Sequence, residues 1–156
     1  MTEQINKEPL KQVLYSQCRM VVRSRLDTIR KTIQELEESL ESETKSTAGD
    51  KHETGRAMVQ LEREKLGQQL AEIQKNNQVL AKIDVSKSSE AIGLGSIVFT
   101  SSGNYFIAIS TGELVVDNQK FYAISMSAPI AKVLLGKRVG DEIHFRMQTF
   151  RIEAVF

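Results

Sequence analysis

The stretch Thr44-Lys45-Ser46-Thr47-Ala48-Gly49-Asp50-Lys51-His52-Glu53-Thr54-Gly55-Arg56-Ala57-Met58 decides the fold of this chain. On either side of it lies a long segment with apolar residues at helical spacing. Within it the apolar pattern stops, and small and charged residues take over. The pattern predicts the tip of an antiparallel helical hairpin. Asp50 and Glu53 sit three apart, just after Gly49. The flanking segments read as the means of holding and delivering those two carboxylates.

Before the tip, Pro9 suits a first helical turn, and from Leu10 no Pro or Gly interrupts the chain until Gly49. Val22, Leu26, Ile29, Ile33, Leu36 and Leu40 recur at steps of four and three, the spacing of a coiled-coil seam. Upstream, Leu14, Cys18, Val21 and Val22 form a wider stripe. The base of this helix is therefore expected to pack on something besides its partner helix. The second helix is expected to begin near Asp50, with Val59, Leu66, Leu70, Ile73, Leu80 and Ile83 on its seam. Asn77 is expected on that seam too, as a polar residue fixing register. Gly67 is a weak point, worth about 1 kcal/mol against Ala if exposed. Each arm of roughly 35 residues, at ~1.5 Å per residue, would reach about 50 Å. Reach explains such a length better than stability does.

Residues 85–91 form a short polar linker within Asp84-Val85-Ser86-Lys87-Ser88-Ser89-Glu90-Ala91. It separates a hairpin at 1–84, with its tip near 44–56, from a second domain at 92–156. There, Ile97–Thr100 and Tyr105–Ile109 flank a turn at 101–104, and Glu113–Val116 and Phe121–Ser125 flank another at 117–120. Ala128–Leu135 reads as a short helix, with Ser127 as its cap, Pro129 in its first turn and Gly136 at its end. Glu142–Met147 and Arg151–Val155 close the chain as strands. The fold class is α+β: a helical hairpin, then a small, mostly antiparallel sheet domain with one short helix.

Composition narrows the partners only a little. The chain has 156 residues, of which 26% are charged, with a net charge of +1. Any nucleic-acid contact must therefore come from local patches. Cys18 is the sole cysteine, so neither an internal disulfide nor a zinc site is expected, and a buried structural thiol is. The N-terminal residues show no signal-peptide core, and no apolar run approaches the ~18 residues of a membrane span. A cytoplasmic protein with no membrane partner is expected.

The acidic pair has two readings, which can coexist. Asp50 at the N-cap with Glu53 three residues on makes a capping-box-like start to the second helix, suited to its positive dipole end. Alternatively, the two carboxylates hold a hard cation. His52 is a solvated loop histidine or a phosphate contact. Arg56 is a solvated helix residue or a partner for a phosphate or an acidic group. Arg19, Arg23, Arg25, Arg30 and Lys31 make the lower part of the first helix basic, and Glu35, Glu37, Glu38, Glu41 and Glu43 make the upper part acidic. This is either a solvated face or a steering pattern. Met126, Ile130, Val133 and Leu134 are expected in the core. Lys137, Arg138, Asp141 and Glu142 flank a turn that is either solvated or a docking surface. There is no Ser/His/Asp set, Cys/His cluster or phosphate-binding glycine loop, so any catalysis is borrowed from a partner.

The chain resembles the bacterial Gre transcript-cleavage factors in three features. The first is the order of a long helical hairpin followed by a small sheet domain. The second is Gly49-Asp50-Lys51-His52-Glu53, similar to the family's Gly-Asp-x-x-Glu. The third and most specific is the run from Ser127 to Glu142, similar to Ser-Pro-x-x-x-x-Leu-Leu-Gly-Lys-x-x-Gly-Asp. After Glu53 the chain departs from the family's Asn-Ala-Glu-Tyr, reading Thr54-Gly55-Arg56-Ala57.

The resemblance implies an FKBP-like second domain that docks on RNA polymerase, and a coiled coil entering the polymerase's secondary channel. It also implies that Asp50 and Glu53 help hold a second Mg²⁺, shared with the polymerase, for cleavage of backtracked RNA. The factor would be an accessory protein and not itself an enzyme. It would be monomeric, and would meet the nascent RNA 3′ end and DNA within the elongation complex. A non-cleaving regulator of the same channel is the alternative. A prolyl isomerase and a plain coiled-coil adaptor are the remaining rivals.

Overall fold

The computed structural model describes the backbone of residues 7–45 and 50–156, and the side chains of residues 9–42 and 55–156. Helix α1 spans Lys7–Lys45 and α2 spans Asp50–Ala81. Strands β1 (Ile97–Thr100), β2 (Asn104–Ala108), β3 (Gly112–Val116) and β4 (Gln119–Ser125) follow, then helix α3 (Pro129–Leu134), β5 (Glu142–Phe145) and β6 (Gln148–Val155). The chain is α+β, a helical region followed by a mixed sheet with one short helix. It forms two compact units: Met1–Val21 with Gln78–Phe156, and Val22–Asn77.

In the unit Val22–Asn77 the helix contacts run in opposite chain directions. Ile29 and Ile73 floor one groove, and Arg63 lies 3.9 Å from Glu37. The recurring apolar positions of both helices are the shielded ones. Val22, Ile29, Leu66 and Ile73 are buried, and Leu26, Ile33, Leu36, Leu40, Val59 and Leu70 are half-buried. Asn77 departs from expectation: it is exposed, and its neighbour Asn76 is half-buried. Stepping from Ile73 to Leu80 by three and then four puts position 76, not 77, on the seam. The helical period of 3.6 allows either order.

In the other unit, six strands form one sheet in the order β3-β4-β2-β1-β6-β5. All neighbours are antiparallel except β2 and β4, which pair in parallel with Tyr105 opposite Tyr122 and Ile107 opposite Ile124. The sheet is thus mostly antiparallel, as expected, and is mixed through this one parallel pair. Strand β3 lies at the sheet edge, and it is followed by the two-residue turn Asp117-Asn118, with φ of 49° and 64°. This turn folds β4 back on the inner side of β3, against β2. A primed turn of this kind matches strand twist.

The two faces of the sheet bury different sets. On one, Val98, Ile107, Ile143, Phe150 and Ile152 pack with Ile92 and with Leu134 of α3. On the other lie Ile97, Phe106, Ala108, Leu114, Phe121 and Ala123, buried with at most 7% exposed. Here Phe99 meets Phe121 and Phe156 edge-on, each at 5.7 Å. The first turns of α1 reach this unit. The Lys11 Nζ donates to Lys87 O at 2.7 Å, the Tyr15 hydroxyl to Leu80 O at 2.9 Å, and Gln17 Nε2 to Val115 O on β3 at 3.2 Å. Leu14 and Cys18 between them are fully buried. The wide stripe at the base of α1 is therefore a packing surface for the sheet unit, as its width predicted.

Helix α3 differs from expectation at its start. Its N-cap is Ala128, with no side-chain cap bond, and not Ser127; the Ser127 hydroxyl instead lies 2.9 Å from that of Ser125. Pro129 opens the helix, where its missing N–H is no loss. Gly136, with φ of +80°, follows the end and donates its N–H to Ile92 O at 2.8 Å. Leu134 is core and Ile130 and Val133 are half-buried, but Met126 is 42% exposed and not core. It precedes the helix, and so misses the inward face that Ala131 and Leu134 share.

Candidate functional site

Helix α2 opens at Asp50, which places the backbone of Asp50, His52 and Glu53 in its first turn. Carboxylates are favoured there by the helix dipole. Residues 46–49, and the side chains of Asp50, His52 and Glu53, lie outside the described residues. The cap and the metal reading both turn on those side chains. The donor set itself is two carboxylates, which suits a hard cation that draws its other ligands from elsewhere.

Arg56 is described and exposed, one turn further along α2. It lines a surface groove with Leu40, Val59, Gln60, Arg63 and Glu64. Two turns further along the same groove, Arg63 lies 3.9 Å from Glu37, both about half exposed. A pair so exposed is worth little stability, so the charges on this wall of the groove are open to a ligand or partner. Along α1, Arg19, Arg23, Arg25, Arg30 and Lys31 are exposed, as are Glu35, Glu37, Glu38 and Glu41. Arg19 also lies 6.0 Å over the Tyr15 ring. The separation of charge read in the sequence is thus a surface feature.

Lys137 and Arg138 are both exposed in the turn after α3, but they differ in their ties. Arg138 Nη1 pairs with Glu90 Oε2 at 3.2 Å. Its backbone N–H donates to Asp141 Oδ2 at 2.8 Å. The backbone of Lys137 accepts from Ile92 N at 2.9 Å and donates to Leu134 O at 3.0 Å, while its side chain projects outward. Of these two, Lys137 is the freer charge for a partner, while Arg138 is paired with Glu90 at the surface, where such a pair adds little stability. Sequence reading missed Glu90, because a partner 48 positions away leaves no local pattern.

Sequence reading also missed Tyr105 and Tyr122. Their rings stand 6.1 Å apart on the α3 side of the sheet. Burial pushes the Tyr105 phenol up, with Tyr122 adding to the shift. Only the parallel register of β2 and β4 brings these residues together.

Among the described residues, no group of three or more His, Cys, Asp and Glu side chains is placed to hold a metal ion. Nor is any of their helices long and apolar enough to cross a membrane. Compared with models of protein families and with curated proteins, the chain matches none.

Proposed function

We propose that this protein is a Gre-type accessory factor of RNA polymerase. In this reading the helix pair is a coiled coil that enters the polymerase's secondary channel, and the sheet unit is an FKBP-like domain that docks on the enzyme. The observation that carries the reading is the pairing of two motifs in one chain: Gly49-Asp50-Lys51-His52-Glu53 where α2 opens, and the run Ser127–Glu142 that builds α3 and its following turn.

Asp50 and Glu53 would contribute oxygen ligands for a second Mg²⁺ at the polymerase centre. That ion activates water and balances charge in phosphoryl chemistry. Two protein carboxylates bind Mg²⁺ weakly alone, so binding is completed only where polymerase and RNA supply the remaining oxygens. Arg56 sits one turn beyond the acids, within reach of RNA phosphate or an acidic channel wall. Lys137 and Arg138 belong to the docking surface of the sheet unit.

The test is addition of the protein to stalled elongation complexes, with shortening of the RNA and its Mg²⁺ dependence as readouts. Asp50→Asn and Glu53→Gln are nearly isosteric and keep the capacity to cap a helix but remove the charge. Each is expected to lower cleavage by about 100-fold or more, the scale of losing one group that acts in a charged transition state. Wild-type cleavage by both variants would defeat the metal role.

A second reading, a channel regulator without cleavage, is favoured by one observation. After Glu53 the chain runs Thr54-Gly55-Arg56-Ala57, where the family has Asn-Ala-Glu-Tyr, so an arginine stands where the family has an acid. Polymerase binding without RNA shortening would select that reading.

A further inference from the structure

We propose that the unit Val22–Asn77 carries a built-in point of local opening at the level of Thr32 and Gly67. The level follows from the helix contacts. Glu37 faces Arg63 at 3.9 Å, and Ile29 shares a groove with Ile73. Gly67 therefore falls opposite the turn holding Ile33 and Gln34, within one helical turn of Thr32.

Each helix is weakened there for its own reason. On α1 the Thr28 hydroxyl donates to Ser24 O at 3.0 Å, and the Thr32 hydroxyl to Thr28 O at 3.0 Å. Two successive back-bonds of this kind compete with the helical ladder and loosen it. On α2, Gly67 is exposed, and a Cβ built on it would meet nothing within 4 Å. No close approach requires a glycine, yet glycine is the poorest helix former after proline.

Packing changes at the same level. On the near side, the half-buried Leu26 and Leu70 alternate with Ile29 and Ile73, only 8% and 4% exposed, and Leu66, at the level itself, is 5% exposed. On the far side, Ile33, Leu36, Leu40 and Val59 are only half-buried, and an acid, Glu62, takes a half-buried seam position. Local stability follows buried apolar contact. The segments 33–42 and 55–65 therefore open as a unit, with Ile29 and Leu66 as the stop. The arm keeps a firm lower part and a yielding outer part. Nothing in this depends on what the protein binds.

Hydrogen exchange of the full chain, followed by mass spectrometry, tests the proposal. Amides of 68–77 should be markedly better protected than those of 55–65, with a step at Leu66–Gly67. Gly67→Ala should slow exchange in 55–65 by roughly fivefold and leave 22–29 unchanged. Thr32→Ala should act in the same direction. A smooth decline in protection from 77 to 55 would show ordinary end fraying and overturn the proposal. So would Gly67→Ala protein of unchanged helix content whose 55–65 amides exchange as in wild type.

Discussion

Two titratable side chains on the first turns of α1 are buried for different ends. Lys11 is 5% exposed. Burial pulls its ammonium below the ordinary lysine value, and Asp84 partly offsets this. It keeps a polar partner in Lys87 O. Cys18 is fully buried, and burial pushes its thiol up to about 11 against an ordinary 9.0. The thiolate is the reactive form, so native Cys18 should resist an aromatic disulfide reagent at pH 8 and react fully in denaturant. Its linkage to stability has a definite sign. The folded state holds the thiol proton more tightly than the unfolded state does. This contribution is therefore complete below pH 9.0 and is lost as pH rises through about 11. Cys18→Ala should cost about 1–2 kcal/mol at pH 7, and urea melts should show that deficit shrinking between pH 9.0 and about 11.

Among the elements, the turn joining β5 to β6 carries the clearest local conflict. Phe145 pairs with Gln148, so Arg146 and Met147 form a two-residue loop, and both have positive φ, 48° and 64°. Such turns prefer Asn-Gly or Asp-Gly, and a long side chain there is strained by about 1–2 kcal/mol. Arg146 recovers part of this by lying 4.9 Å over the Phe145 ring. Met147 recovers nothing by burial, being fully exposed. Met147→Gly should therefore gain about 0.5–1 kcal/mol after the unfolded-state entropy of glycine is counted. Met147→Val, β-branched at positive φ, should lose about 1 kcal/mol or more. Equilibrium urea unfolding separates the two. The same turn shows where sequence reading fails. The strand alternation at 97–100, 113–116 and 121–125 was legible because apolar side chains at period two face a core. The turn at 146–147 was not, because its residues carry no turn chemistry, and the reading ran β5 on through Met147. Parallel pairing of β2 and β4 was equally hidden, since alternation reports which residues share a face and not which strand lies alongside. At the candidate site, the tip acids and the run after Ser127 were legible as motifs. The Arg138–Glu90 pair and the exposure of Met126 were not, because both depend on how the chain after α3 is laid down.

For the molecule as a whole, the partition into units sets a boundary that composition alone conceals. The polar stretch 85–91 invites a cut between a helical part and a sheet part. Yet the compact sheet unit includes Met1–Val21 as well as Gln78–Phe156. One sheet face is covered through α3 and Leu134. The other carries Ile97, Phe106 and Phe121 at 0% exposed. From α1, the Gln17 amide reaches Val115 O on β3 at 3.2 Å, and Leu14 and Cys18 are fully buried in this unit. Removing α1 would therefore return apolar surface to water, at about 25 cal/mol per Å². Exposed apolar surface of that kind also invites aggregation. A fragment of residues 85–156 should therefore be insoluble or show no cooperative thermal transition. In the full chain, Leu14→Ala should destabilise the sheet unit by about 3 kcal/mol, the usual scale for a fully buried leucine. Leu36→Ala, at a half-buried seam position, should leave the melting of that unit unchanged. Near-UV circular dichroism of the tyrosines, which all lie in this unit at positions 15, 105 and 122, reports its unfolding selectively. If the 85–156 fragment instead melted cooperatively with a native tyrosine signal, the base of α1 would be an accessory to the sheet and not one of its layers.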